Sequence, residues 1–244
     1  MKKFLLILSV FLLVGCSNNN KVSYKDELTL LGKYTHDTDS FTQGLFFHDG
    51  KLYESIGQYG KSKLLKDVSL EDGFCKKEYE FDNSIFAEGS TIFKNKIYVL
   101  SWKEKKAFVF NTDTLEIERE NHYDREGWGL TTDGYHLIAS DGTNNLYYYD
   151  ENFNLIKTIN IDGVYYLNEL EYINGYIWAN IYMSDRIAVI DPKKESVVKI
   201  IDFEGLYKKP KDVNKVLNGI AFYDDKVFIT GKNWDTMYAF KIKD

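Results

Sequence analysis

"QGLFFHDGKLYESIG", residues 43–57, reads as an apolar strand, a tight Asp49-Gly50 turn and a second strand. Asp-Gly between two hydrophobic runs is a strong two-residue hairpin signal, because both positions tolerate positive φ. The pattern returns without a gap in "EGSTIFKNKIYVLSW" (88–102), "WGLTTDGYHLIASDG" (128–142), "NELEYINGYIWANIY" (168–182) and "NGIAFYDDKVFITGK" (218–232). Turns are predicted at Asn95-Lys96, Asp133-Gly134, Asn174-Gly175 and Asp224-Asp225. The lead residues Gln43, Glu88, Trp128, Asn168 and Asn218 stand 45, 40, 40 and 50 positions apart. Self-similarity at that period marks an array of like supersecondary units.

Each unit continues into a third strand: "KLLKDV", "KAFVFN", "NLYYYD", "RIAVID" and "MYAFKI". Fourth strands follow at "KKEYEF", "LEIEREN", "NLIKTINI" and "SVVKIIDF", but the fifth unit has none. The strand-like "ELTLLGKYTH", Glu27 to His36, precedes the first unit without a partner. If it supplies the missing outer strand of the last unit, the ring closes and leaves only short, protected edges. The fold is therefore predicted all-β: a five-bladed β-propeller of four-stranded blades, its last blade closed by an N-terminal strand. A large sandwich or barrel would not explain five units in register.

The rest of the chain bounds the reading. Tyr (19) and Phe (16) are abundant and Pro occurs twice, a composition that favours strands. Residues 1–15, "MKKFLLILSVFLLVG", have the charged start and short apolar run of a signal peptide. Leu13-Val14-Gly15-Cys16 resembles the lipobox of bacterial lipoproteins, which implies cleavage before Cys16 and a lipid on its sulfur. An ordinary secreted protein with an incidental cysteine is the alternative. Residues 16–26 then form a polar tether and 27–244 the propeller, in the cell envelope outside the cytoplasm. With Cys16 lipidated, Cys75 has no intrachain partner. A net charge of −6 without a basic patch argues against nucleic acid. The four His residues are scattered, so neither metal nor cofactor is expected, and the unit is read as a monomer.

Two columns of the repeat are expected at one end of the ring. The first is the lead column, none of it aliphatic, at the start of the inner strands that line a propeller channel. The second stands fourteen residues later: Gly57, Trp102, Gly142, Tyr182 and Lys232. Antiparallel pairing brings the end of strand two beside the start of strand one. A carboxylate, amides, a lysine and large aromatics would then converge, as in a small-ligand pocket. Polar residues at such positions can instead bind channel water or neighbouring backbone. Trp178 is read as core and Trp234 as pocket wall or packing beside it. Glu169 and Glu171 either face the channel or pair with Arg186.

"FTQGL", "FAEGST", "EGWGLTTDG", "LNELEYINGYIWANIYMSDRIAVIDP" and "LNGIAFYDDKVFITGKNW" resemble the plant-type glutamine cyclotransferases over roughly residues 27 to 242. The resemblance implies a five-bladed propeller that closes N-terminal glutamine of peptides or proteins to pyroglutamate and releases ammonia. It implies Glu88 as the acid/base carboxylate. It also places Phe41, Gln43, Phe86, Trp102, Trp128, Asn168 and Lys232 among the residues for binding or transition-state support. Tyr182 stands where the family pattern leads one to expect a second tryptophan. Asn218, from the first column, joins the substrate-binding candidates.

On this reading Glu88 relays a proton from the attacking α-amine to the departing nitrogen. Asn168 and Lys232 hold the oxyanion, and the aromatics fold the glutamine for ring closure. Burial would raise the Glu88 pKa and Lys232 would lower it. Two other functions compete: a non-catalytic peptide- or ligand-binding propeller at the cell surface, and a lactonase-like, metal-dependent hydrolase. The latter needs three or four clustered oxygen ligands, for which only Glu88 and Glu169 are candidates.

Overall fold

The structure is a computed structural model that describes residues 21–208 and 212–243. Residues 1–20, with the expected signal peptide and Cys16, lie outside the described residues.

Five sheets follow one another around a central axis. Blade one runs from Thr42–His48 through Lys51–Ile56 and Lys63–Val68 to Cys75–Glu80. Blade two runs from Ala87–Phe93 to Ile117–His122, and blade three from Leu130–Thr132 to Leu155–Asn160. Blade four runs from Leu167–Ile173 to Ser196–Asp202. Blade five contains Leu217–Tyr223, Lys226–Gly231 and Thr236–Ile242, and its outer strand is the N-terminal Leu28–Thr35, antiparallel to Thr236–Ile242. The ring therefore closes by the strand expected to close it.

Two details differ from the sequence expectation. The polar tether ends earlier than residue 26: Lys21–Ser23 adds a parallel fifth strand to blade four, and Tyr24–Glu27 forms one helical turn. Apolar packing holds this turn, since the Tyr24 ring stacks on Phe203 at 5.4 Å. In blade two the turn pair is Lys94-Asn95, one residue before the expected position, and both have positive φ. Asp49-Gly50, Asn174-Gly175 and Asp224-Asp225 also have positive φ at both residues, which matches the right-handed twist of the flanking strands.

The core is divided among the blade interfaces. Leu45, Leu52 and Leu65 of blade one pack against Phe228 and Met237 of blade five. Phe46 and Leu64 meet Ile97 and Phe108 of blade two. Trp178 belongs to the cluster between blades four and five, and so does Trp234, whose ring stacks on Tyr207 at 4.2 Å. Trp234 is therefore packing rather than pocket wall. Each such buried side chain contributes about 1.5–3 kcal/mol.

The ring is sealed where the chain ends meet. His36, just after the closing strand, places Nδ1 2.9 Å from the Trp234 carbonyl and Nε2 3.1 Å from Glu54 Oε1. Thr42 Oγ1 donates to the same Glu54 oxygen at 2.7 Å. Burial alone would lower the His36 pKa, but Glu54 and the Trp234 carbonyl outweigh it and hold it raised.

Candidate active site

The inner strands carry a register shift at their starts in blades one, two, four and five. It falls between Thr42 and Gly44, Ala87 and Ser90, Leu167 and Leu170, and Leu217 and Ile220. Gln43, Glu88, Asn168 and Asn218 sit within these shifts. A bulge bends the strand and re-aims the side chain there, so the first column turns away from the sheet plane. In blade three the inner strand begins at Leu130, and Trp128 stands just ahead of it.

Glycine lets the blades meet closely at this end. A Cβ on Gly89 would lie 2.5 Å from the Trp128 carbonyl oxygen, and one on Gly129 would lie 2.0 Å from that of Asn168. The Gly89 N–H donates to the Trp128 carbonyl at 2.7 Å, tying blade two to blade three. Blade four has Glu169 in the glycine's place. Its carboxylate accepts from the backbone N–H of Leu45 at 3.4 Å and of Ile220 at 2.8 Å. Glu171 accepts from Phe222 N–H at 3.0 Å and from the Thr131 hydroxyl at 3.4 Å. Both carboxylates therefore face the channel and pin neighbouring inner strands. Burial pushes Glu169 well up and Glu171 to about 8, against the lowering effect of those hydrogen bonds.

The second column is fixed by a repeated backbone bond. Gly57, Trp102, Tyr182 and Lys232 each donate N–H to the carbonyl two residues before the lead residue: Phe41, Phe86, Tyr166 and Val216, at 2.9–3.0 Å. This brings both columns, and the Phe41 and Phe86 rings, to one mouth. Gly57 leaves room for the Phe86 ring and Gly142 for the Trp128 indole.

The result is a cavity of about 200 Å³ lined by Phe41, Gln43, Phe86, Glu88, Trp102, Trp128, Asn168, Tyr182 and Lys232. Its wall is largely aromatic. Phe41 meets Phe86 edge-on at 6.2 Å, Phe86 meets Trp102 at 5.5 Å, and Trp128 meets Tyr182 at 5.4 Å. Lys232 Nζ lies 4.6 Å from the Phe41 ring centroid and 5.3 Å from that of Tyr182, within cation–π range. Tyr182 thus keeps the aromatic face expected of a tryptophan.

Glu88 is 5% exposed and its Oε1 accepts from Gln43 Nε2 at 2.9 Å. Burial raises its pKa well above the usual carboxylate range. Lys232 opposes that shift, while Glu104 and Glu126 near the mouth add to it. Lys232 is itself buried, which pushes its pKa down to about 8 against the pull of Glu88. In the contest between burial and opposite charge, burial wins at both groups. The Asn168 Oδ1 is buried with no hydrogen-bond partner among the described residues. No group of three or more His, Cys, Asp or Glu is placed to hold a metal ion among the described residues.

Asn218 departs from its expected role. Its side chain is fully buried outside the cavity lining and donates to the Thr42 carbonyl at 2.9 Å and to Gln43 Oε1 at 3.3 Å. The blade-five lead position faces the blade-one backbone, so the amide is spent on the junction and on Gln43 rather than on the cavity.

Three supporting residues escaped the sequence reading. Ser55 Oγ donates to the Glu88 carbonyl at 2.6 Å, and Ser140 Oγ donates to the Asn168 carbonyl at 2.7 Å. Asn180 Oδ1 accepts from Gly219 N–H at 3.0 Å. All three occupy one repeat position, twelve residues after the lead residue, and clamp the next blade's lead segment. Their signal was a small or amide residue near the end of an otherwise apolar second strand.

A β-propeller with one lysine and one glutamate buried in an aromatic cavity at its mouth defines the class of protein. The sequence profile of the glutamine cyclotransferase family matches residues 6–242. A glutaminyl-peptide cyclotransferase of Arabidopsis thaliana is 38% identical over 231 residues, covering 89% of this chain and 72% of that protein. The crystal structure of Myxococcus xanthus glutaminyl cyclase superposes with a TM-score of 0.78 at 33% identity, covering 89% of this chain and 97% of that one. The WD40 β-propeller domain of Doa1, at 12% identity and a TM-score of 0.50 over 82% of this chain and 63% of that one, is similar in fold alone. The chain belongs to the glutamine cyclotransferase family.

Proposed function

We propose that this protein is a glutaminyl-peptide cyclotransferase, which converts the N-terminal glutamine of a peptide or protein to pyroglutamate and releases ammonia. The observation that carries the reading is Glu88, buried in an aromatic cavity, held by Gln43 and faced by Lys232. Gln43 engages its Oε1, and the moving proton is carried on Oε2.

The substrate's neutral α-amine attacks the γ-carboxamide carbon and forms the ring C–N bond. Glu88 takes a proton from the attacking nitrogen and passes it to the carboxamide nitrogen, a general base and then a general acid. The C–N bond to that nitrogen breaks, ammonia leaves, and Glu88 returns to the carboxylate. Its raised pKa makes it a stronger base than an exposed glutamate. Lys232 and Asn168 hydrogen-bond the oxyanion of the tetrahedral intermediate, a contribution of about 3 kcal/mol for one good donor. Phe41, Phe86, Trp102, Trp128 and Tyr182 hold the side chain folded and displace water.

Ammonia release from a glutamine-initiated peptide, with and without chelator, tests the assignment. Chelator-insensitive release by the wild type, lost by at least a hundredfold in Glu88→Gln with circular dichroism unchanged, is the expected result. Peptide binding without release would make the protein a binding propeller, and release abolished by chelator would favour the metal-dependent hydrolase. The enzyme acts outside the cytoplasm on exported chains, held to the membrane through lipidated Cys16. Mass spectrometry of the Cys16 peptide from the native host tests that anchor.

A further inference from the structure

The cavity wall is a nearly closed collar. Ring contacts run from Phe41 through Phe86 to Trp102 and from Trp128 to Tyr182, and Lys232 links Tyr182 back to Phe41. Between Trp102 and Trp128 no ring contact closes the circle among the described residues. Glu126 bridges that gap from outside the cavity lining. Its Oε2 accepts from the Trp102 indole Nε1–H at 2.9 Å and from the Trp128 indole Nε1–H at 3.3 Å.

The segment that carries Glu126 is itself anchored to blade two. The Gly127 N–H donates to the carbonyls of Ser101 and Trp102, each at 3.1 Å. A Cβ at Gly127 would lie 2.5 Å from the Ser101 oxygen, so only glycine lets the segment lie this close. Glu126 is thereby placed between an indole just past the second strand of blade two and one leading into the inner strand of blade three. An indole N–H has one donor and no acceptor, so a single carboxylate oxygen can fix the plane of both rings. Lys103 packs its Nζ 3.7 Å from the Trp102 ring centroid and adds a second restraint on that indole.

We infer that Glu126 is a positioning residue for substrate: one carboxylate oxygen sets the orientation of Trp102 and Trp128 together, across a blade boundary, and so fixes the shape of the cavity that receives the glutamine side chain. Because Glu126 itself is exposed, the effect falls on ground-state fit more than on the chemical step. The inference rests on the cyclotransferase reading for its kinetic consequence but not for its structural one.

The test pairs kinetics with the indole N–H signals in the ¹H–¹⁵N spectrum of the purified protein, where the four tryptophans give four cross-peaks. In Glu126→Ala the Trp102 and Trp128 peaks should both move upfield, while those of Trp178 and Trp234 stay in place. KM for a glutamine-initiated peptide should rise about three- to tenfold with kcat within about twofold. Glu126→Gln, which retains an acceptor oxygen, should recover both peak positions and most of KM. Movement of only one indole peak, of neither, or of all four would overturn the inference. So would joint movement without a change in KM. If the wild type releases no ammonia at all, the cyclotransferase reading fails, whereas the paired indole response still reports on the brace.

Discussion

Gln43 reaches from blade one into blade two and donates its amide N–H to Glu88 at 2.9 Å, so two adjacent repeats together hold the buried carboxylate. The amide can do this only in one of its two orientations. Asn218 selects that orientation by donating to Gln43 Oε1 at 3.3 Å, and it is held in turn by the Thr42 carbonyl. The setting of the Glu88 carboxylate therefore involves a residue of blade five that does not line the cavity.

Asn218→Ala removes the donor that orients Gln43 and leaves the Thr42 carbonyl without its side-chain partner. Leaving a buried acceptor unsatisfied costs about 1–3 kcal/mol, to be read from denaturant midpoints. The expected kcat/KM is about tenfold lower, with most of the change in kcat. Asn218→Asp offers acceptors in place of the donor and should be at least as damaging to kcat. Wild-type kcat in both variants would separate Asn218 from the relay.

Lys232 links pH to both rate and stability. Below about 8 it carries the charge that, on the proposed mechanism, supports the oxyanion, and above that value it loses it. The rate should rise from the acid side as Glu88, whose pKa is raised, and the substrate amine deprotonate. It should then fall on the alkaline side near pH 8. In Lys232→Met the residual activity should be at least a hundredfold lower and lack the alkaline limb.

The same substitution should stabilise the fold at neutral pH. A folded-state pKa lowered to about 8 means that the buried charge costs stability fully below that pH, a cost that disappears above the unfolded lysine value. The shift corresponds to about 3 kcal/mol, offset in part by the lost contacts with Phe41 and Tyr182. Lys232→Met is expected to raise Tm by about 5 °C at pH 7, with the gain shrinking as pH rises from 8 toward 10. An unchanged or lower Tm at pH 7 would show that the lysine charge is well solvated in the fold.

His36 and Glu54 form the buried latch where the closing strand meets blades five and one. A folded-state His pKa that is raised contributes stability fully present below its ordinary value near 6.5 and lost as pH climbs through the folded value. His36→Ala leaves Glu54 as an unpaired buried charge and should cost about 3–5 kcal/mol at pH 6. Adding Glu54→Gln should recover part of that loss, as a double-mutant cycle would measure. If the two single losses simply add, the pair is not coupled and the latch assignment fails.

Much of this was legible in the chain. Five copies of one hairpin, each with an Asp or Asn turn at a nearly constant offset, set the blade count, because each copy buries its faces only against neighbours like itself. The absent fourth strand of the last unit and the unpartnered Glu27–His36 segment determined the closure. The same periodicity placed Glu88, Trp102, Asn168, Tyr182 and Lys232 at one mouth, since side chains in equivalent repeat positions share one end of the ring.

What the repeat could not decide was which side chains of a column look into the cavity and which are spent on the structure. Asn168 and Asn218 hold the same repeat position, yet only Asn168 lines the cavity, because Asn218 meets the blade-one backbone at the closing junction. Glu169 and Glu171 read as equally ambiguous until the inner strands they pin came into view. The Glu126 bridge and the Ser55 and Ser140 clamps cross blade boundaries between residues that no local pattern pairs. Contacts of that kind are set by how the blades pack around the axis, and packing is a property of the folded ring.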